Sequence, residues 1–129
     1  MSIKTVIDIV VLILIVWFLY TRLKPVKGLK NLKPEDFLNE TKNNNKCIVV
    51  DVREPGEYKR GYIKGAVNIP LSQLQRRLAE IPEDKTVLLY CQSGMRSKNA
   101  AKVLRRSGYS NIAHLQGGVS AWGYKLTHK

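Results

Sequence analysis

The chain has 129 residues, of which 44% are hydrophobic and 25% are charged, and these values predict one globular domain. Its formal net charge of +12 falls to +7 from Pro34 onward, where 16 basic residues oppose 9 acidic ones. A field of that sign favours small anionic substrates or an acidic partner. We expect no nucleic-acid partner, because the sequence has no aromatic platform, recognition helix or zinc-binding spacing.

The two cysteines, Cys47 and Cys91, lie in different sequence contexts and do not resemble a disulfide framework. We therefore expect a reducing compartment, which keeps a reactive thiol free. His114 and His128 are not spaced as metal ligands are, so we expect neither a metal site nor a cofactor.

An apolar segment opens the chain and contains an uninterrupted run at residues 9–20. As a helix, residues 3–23 reach about 31 Å, which matches the ~30 Å hydrocarbon layer when Lys4 and Asp8 lie near one interface. A cleaved signal peptide fits less well, because bulky residues follow the run where a small-residue cleavage site is needed. A buried core helix also fits less well, since this helix has no polar face for solvent. Residues 1–23 are therefore predicted to be a transmembrane anchor.

Basic residues follow the apolar run, and no acidic residue occurs between that run and Glu35. We assign residues 24–33 to a basic juxtamembrane linker and residues 34–129 to the domain, with a start near residue 28 as the alternative boundary. Basic residues are more frequent after the anchor than before it, so the positive-inside rule places the domain in the cytoplasm. The sequence thus predicts a single-pass protein of the cell membrane whose domain faces the cytoplasm.

Short apolar runs alternate with amphipathic stretches after the linker, which is typical of an α/β domain with a mainly parallel sheet flanked by helices. A helix is predicted to begin at Pro34, because proline is well suited to the first turn of a helix. Strands are predicted at residues 47–52, 66–69, 86–90 and 112–115. Further helices are predicted at 71–81, between the Cys91 loop and Arg106, and at 118–124, and turns at 43–45 and 54–56.

The segment CQSGMRS, residues 91–97, joins the third predicted strand to the following helix. Ligands bind at the carboxyl ends of strands in open α/β sheets, so Cys91 stands where a site is expected. The loop turns backbone N–H groups inward and the helix dipole adds its positive end, and both stabilise a thiolate. Gly94 allows the tight curl, and Arg96 adds a fixed positive charge. Cys47, in contrast, begins an apolar strand without polar neighbours, as a core residue does.

Four separated stretches are similar to signatures of the rhodanese homology domain and follow that family's order. They are DVREPGEY at 51–58, GYIKGAVNIP at 61–70, CQSGMRS at 91–97 and LQGGVSAW at 115–122. The resemblance extends over residues 29–127, and the arrangement with an anchor is similar to short single-domain bacterial members. Tyr62 departs from the family, which often has histidine at this usually structural position.

The resemblance implies sulfur transfer. In that family the loop cysteine attacks the outer sulfur of a donor such as thiosulfate, releases sulfite and passes the persulfide sulfur to a nucleophile. Carried over to this chain, Cys91 is the nucleophile and sulfur carrier, and Arg96 supports the loop and orients the small anionic donor. The acceptor is a thiol such as that of thioredoxin or glutathione. The anion cradle consists of the backbone N–H groups of Gln92, Ser93, Gly94, Met95, Arg96 and Ser97.

Asp51 and Arg53 follow a predicted buried strand, and two interpretations stay open for them. They either support the Cys91 loop through ion pairs and hydrogen bonds or form a local pair that orders the turn at 54–56. The stretch at 115–122 is interpreted as a turn followed by a core anchor, Trp122.

Loop length separates this sequence from related activities. Four residues lie between Cys91 and Arg96. Related cell-cycle phosphatases and arsenate reductases are similar to a different form of the loop, which has five residues between the cysteine and the arginine and a histidine before the cysteine. Tyr90 precedes the cysteine here, and the tighter ring suits a persulfide sulfur better than a phosphate. The other alternative is a rhodanese-like interaction module that lacks turnover and recruits a partner to the membrane. The intact Cys91, Gly94 and Arg96 argue against that alternative.

Overall fold

The computed structural model describes residues 1–23, 26–43 and 45–128 of the chain. Lys24 and Pro25 of the predicted linker, Asn44 of the predicted turn and the terminal Lys129 lie outside the described residues. The centre of the domain is a parallel sheet of five strands in the order β1-β5-β4-β2-β3. The strands are β1 (Leu29–Leu32), β2 (Cys47–Asp51), β3 (Val67–Asn68), β4 (Thr86–Tyr90) and β5 (Ile112–Leu115).

Helices pack on both faces of this sheet, so the predicted α/β architecture with a parallel sheet is confirmed. The α-helices are α1 (Ile3–Leu23), α2 (Pro34–Thr41), α3 (Pro55–Arg60), α4 (Leu71–Leu74) and α5 (Met95–Arg106). Two 3₁₀ helices cover Gln75–Glu80 and Gly118–Ala121.

The helices differ from the predictions at three places. The helix predicted at 71–81 is broken, because Arg77 adopts a non-helical backbone with φ −113° after α4 has ended. The turn predicted at 54–56 is instead the start of α3, which a reciprocal capping box between Glu54 and Glu57 stabilises. The helix predicted at 118–124 is a single 3₁₀ segment.

Strand β1 lies inside the segment predicted to be a linker. It pairs with β5 from Leu29 opposite Ile112 to Leu32 opposite Leu115. Its two leucines are half-buried while the two residues between them are exposed, as in an edge strand. The linker prediction is therefore wrong for residues 29–32, and the sheet begins near the alternative boundary at residue 28.

Helix α1 stands apart from the domain core. The helical stretch Ile3–Thr21 is long and apolar enough to cross a membrane, and none of it is buried against the rest of the chain. A helix that keeps its apolar side chains exposed cannot be a core helix of this domain. The segment is therefore a candidate membrane span.

The central strand β4 is buried on both faces, which is why its sequence is an apolar run rather than an alternating pattern. One face packs against α4 and α5 through residues such as Leu74 and Leu104, and the other packs against Phe37 of α2. In the register of β2 and β4, Asp51 lies opposite Tyr90. The residues that follow both strands therefore leave the sheet at the same edge, where Cys91 is located.

Candidate active site

Cys91 lies at the carboxyl end of β4 and is fully buried. Its Sγ accepts two backbone hydrogen bonds, from the N–H of Gly94 at 3.0 Å and from the N–H of Ser97 at 3.3 Å. The Sγ–H of Cys91 itself donates to the hydroxyl oxygen of Ser97 at 3.6 Å. Backbone N–H dipoles that converge on one atom stabilise negative charge there. The loop thus encloses the sulfur with hydrogen-bond donors suited to an anion.

Glycine at position 94 makes this loop possible. Gly94 has φ +105° and immediately precedes α5, so the chain turns back and aims its own N–H at Sγ. Any other residue would be strained at this φ. The side chains of Gln92, Ser93 and Met95 point outward and are exposed. Of the predicted cradle, the structure brings the N–H groups of Gly94 and Ser97 to the sulfur.

Arg96 is held by a residue that the sequence interpretation did not single out. Its Nη1 donates to Oε1 of Glu57 at 2.7 Å, and its Nη2 donates to Oε2 at 2.9 Å. The hydrogen bond from Arg96 lowers the pKa of Glu57 to about 2. Two parallel bonds fix the plane of the guanidinium. Arg96 therefore ties the first turn of α5 to α3, and its charge is already compensated.

Asp51 and Arg53 form a buried ion pair, with Nη2 of Arg53 at 2.7 Å from Oδ2 of Asp51. Arg53 also donates to the backbone oxygen of Gly61 at 2.7 Å and lies over the ring of Tyr90 at 5.5 Å. None of the hydrogen bonds that this pair makes with described residues goes to residues 92–97. These contacts favour the interpretation of a local pair at the strand end, which lies in space beside Tyr90, the residue before Cys91.

The predicted turn at Gly117 and Gly118 contacts the loop directly. The backbone N–H groups of Val119 and Ser120 donate to the carbonyl oxygens of Cys91 at 2.9 Å and Gln92 at 3.0 Å. A Cβ at position 118 would lie 2.6 Å from the carbonyl carbon of Gln92, closer than real contacts allow. The turn therefore holds the Cys91 loop from behind, in addition to positioning Trp122 against Phe37.

A buried histidine extends the polar network beyond the loop. Nδ1 of His114 lies 2.8 Å from Oγ of Ser97, and its Nε2 is hydrogen-bonded to Oδ1 of Asn31. Burial and, to a lesser degree, the positive charge of Lys98 together lower the pKa of His114 to about 4. His114 is therefore neutral at neutral pH. Asn31 and Ser97 belong to distant parts of the sequence, so no local pattern indicates this contact.

The described residues contain no group of three or more His, Cys, Asp or Glu side chains that could hold a metal ion. The groups that the site brings together are the Cys91 sulfur and the backbone N–H groups of Gly94 and Ser97. A thiolate in such a ring is a nucleophile whose negative charge the backbone stabilises before any substrate arrives. Covalent catalysis through this sulfur is the reaction class that the arrangement supports.

Comparison with known proteins identifies the family. A model of the rhodanese-like domain matches residues 33–125. Protein YqhL of Bacillus subtilis is 46% identical over 101 residues, which cover 78% of each chain. A sulfurtransferase of Allochromatium vinosum is 40% identical over 75 residues, 58% of this chain and 70% of that protein. The crystal structure of a rhodanese-related protein from Thermoplasma volcanium is 31% identical, with a TM-score of 0.68 over 78% of this chain and 99% of that one. The chain belongs to the rhodanese-like domain family.

Proposed function

We propose that this protein is a sulfurtransferase in which Cys91 carries sulfane sulfur as a persulfide. The observation that carries the proposal is the position of Sγ within hydrogen-bond distance of the N–H groups of Gly94 and Ser97. Membership of the rhodanese-like family supports it, as does a relative named as a sulfurtransferase. The form typical of related phosphatases has five residues between the cysteine and the arginine, and this chain has four. The shorter loop of this chain favours a sulfur substrate over a phosphate.

The proposed first half-reaction balances without a cofactor. The Cys91 thiolate attacks the outer sulfur of thiosulfate, a new S–S bond forms, and the donor's own S–S bond breaks with its electron pair leaving on sulfite. In the second half-reaction, a thiolate acceptor such as that of glutathione or thioredoxin attacks the outer persulfide sulfur, and Cys91 leaves as the thiolate. Backbone N–H groups stabilise the negative sulfur in both steps.

Mass spectrometry of the intact, full-length protein in detergent micelles tests this proposal. After incubation with thiosulfate, we expect a mass gain of one sulfur atom, removal of that sulfur by a thiol, and release of sulfite. Cys91→Ser should abolish the gain and the sulfite release. Cys47→Ser, the matched control at the other buried cysteine, should retain both.

The opposite result would be an unmodified wild-type protein with thiosulfate and with polysulfide. That result, combined with a binding partner that Cys91→Ser still captures, would favour the interaction module without turnover.

The proposal includes attachment to the membrane through α1, with the domain in the cytoplasm. The exposed apolar stretch Ile3–Thr21 supports an anchor, and the basic residues that follow it support this orientation. Protease added to inside-out membrane vesicles should digest the domain, whereas right-side-out vesicles should protect it. The reverse pattern would contradict the orientation. A mature protein that lacks residues 1–23 by mass spectrometry would identify a cleaved signal peptide instead.

A further inference from the structure

Arg96 is poorly suited to supply the positive charge that a small anionic donor needs. Both of its terminal nitrogens bind the carboxylate of Glu57, at 2.7 and 2.9 Å, so the pair is close to neutral as a unit. A donor such as thiosulfate carries two negative charges and loses much of its hydration on binding. Another cation close to the Cys91 loop would therefore lower the cost of bringing the donor to the sulfur.

A small cavity lies directly beside the loop. Its volume is about 210 Å³, and its lining includes Gly94, the residue whose N–H contacts the Cys91 sulfur. The cavity is also lined by five polar or charged side chains from separate parts of the fold. They are Ser93 of the loop, Lys98 of α5, Asn31 of β1, His114 of β5, and Gln116, which follows β5.

Lys98 is the cation of this cavity. It is half-buried in the first turn of α5, and its side-chain ammonium forms no ion pair or hydrogen bond with any residue that the structure describes. Lys98 and His114 line the same cavity, and the charge of Lys98 lowers the pKa of His114. His114 is itself neutral and has both ring nitrogens engaged, by Ser97 and Asn31. Lys98 is thus the uncompensated positive charge among the described residues that line the cavity.

We propose that this cavity is a subsite for the anionic oxygens of a small sulfonate-type sulfur donor, and that Lys98 binds them. The inference rests on the proposed function of Cys91 and adds the place where the donor's oxygens bind and the residue that binds them. When the donor's S–S bond breaks, both electrons of the bond leave with the sulfonate part, which departs as sulfite. Lys98 faces charge that is present on the donor and remains on the product, so it contributes to binding in both states.

The kinetic test compares two lysines on the same helix. In the full-length protein in detergent micelles, Lys98→Gln should raise the KM for thiosulfate about three- to tenfold and leave kcat within about twofold, as loss of one partly screened charge would. Lys102→Gln, one turn further along α5 and exposed, should leave both parameters unchanged. Added salt should raise the wild-type KM more than that of Lys98→Gln. Equal KM values for the two variants would overturn the subsite.

A binding experiment separates this inference from the proposed function, because it needs no turnover. Thiosulfate is titrated into the inert Cys91→Ser protein while NMR follows the ring signals of His114. We expect saturable shifts that Lys98→Gln weakens in the same background and Lys102→Gln does not. Shifts without persulfide formation in the wild-type protein would retain the subsite and refute the sulfurtransferase. Persulfide formation with no saturable binding, or with binding that Lys98→Gln leaves unchanged, would refute the subsite alone.

Discussion

The two cysteines of this chain are both buried, yet their surroundings are opposite. The sulfur of Cys91 accepts hydrogen bonds from the N–H groups of Gly94 and Ser97. The thiol of Cys47 instead faces a carbonyl group and donates to the backbone oxygen of Glu40 at 3.3 Å. The backbone groups at Cys91 are donors, which stabilise a thiolate, whereas the backbone group at Cys47 is an acceptor, which stabilises a thiol.

The direction of the parallel strands accounts for this difference. Cys47 is the first residue of β2, at the amino end of the sheet, whereas Cys91 follows the last residue of β4, at the carboxyl end. Only at the carboxyl end does the chain turn from a strand into a helix, with free N–H groups and the positive end of the helix dipole. The two cysteines therefore share burial, and position along the strand is what gives the Cys91 sulfur its backbone N–H donors.

The largest effect is expected from Gly118→Ala, which acts on the Cys91 loop and leaves Cys47 untouched. The backbone at Gly118 has φ +63°, and a Cβ would overlap the carbonyl groups of Cys91 and Gln92. We expect a loss of about 3–5 kcal/mol in the free energy of unfolding, from backbone strain and overpacking together. Thermal unfolding followed by circular dichroism measures this loss, and sulfur loading of Cys91 should fall with it.

Gly65→Ala is the matched control for that substitution. Gly65 also has a positive φ, +86°, but a Cβ there would meet no atom within 4 Å. Only the backbone strain remains, so the cost should be about 1 kcal/mol and sulfur loading should be unchanged. If the two variants were equally stable, the turn at Gly118 would not hold the Cys91 loop as the contacts indicate.

The parts of the site that local sequence determines could be predicted, and the parts that depend on folding could not. The strand and helix around Cys91 follow from an apolar run and a glycine-containing loop, and Cys91 itself follows from its place between them. Glu57 was missed because it lies 39 residues from Arg96, and the interpretation of 54–56 as a turn hid the start of α3. His114 was missed because its partner Asn31 sits in a short edge strand whose sequence, LKNL, resembles a linker.

A smaller effect is expected from Glu57→Gln, which removes the ion pair that holds Arg96 and introduces no steric clash. Arg96 loses a charged, two-bond partner that is only partly exposed, so the free energy of unfolding should fall by about 1 kcal/mol at neutral pH. The pKa of Glu57 is lowered to about 2, and that of an unfolded glutamate is about 4.3. A lowered pKa in the folded state gives stability that is present above about pH 4.3 and lost towards pH 2.

The difference between wild type and Glu57→Gln should therefore shrink as the pH falls through that window. Denaturant unfolding at several pH values measures it. Glu80→Gln, which removes the exposed surface pair with Arg77, serves as the control and should change stability at neutral pH far less. A pH-independent difference for Glu57→Gln would show that the ion pair with Arg96 is not its source.

The smallest effect is expected at Cys47, where titration tests the other half of the comparison. Burial raises the pKa of the Cys47 thiol, the charge of Glu40 raises it further, and Lys85 opposes both. In the Cys91→Ser protein, the ultraviolet absorbance of a thiolate should therefore appear only above the ordinary cysteine range of about pH 8.5. Lys85→Gln in the same background should move the titration higher still.

Because the folded state holds the Cys47 proton to a higher pH than the unfolded state does, the free energy of unfolding should also decline as the pH rises past that range. A thiolate at Cys47 below pH 8 would show that burial and Glu40 do not raise its pKa, and the proposed difference between the two ends of the sheet would lose its support.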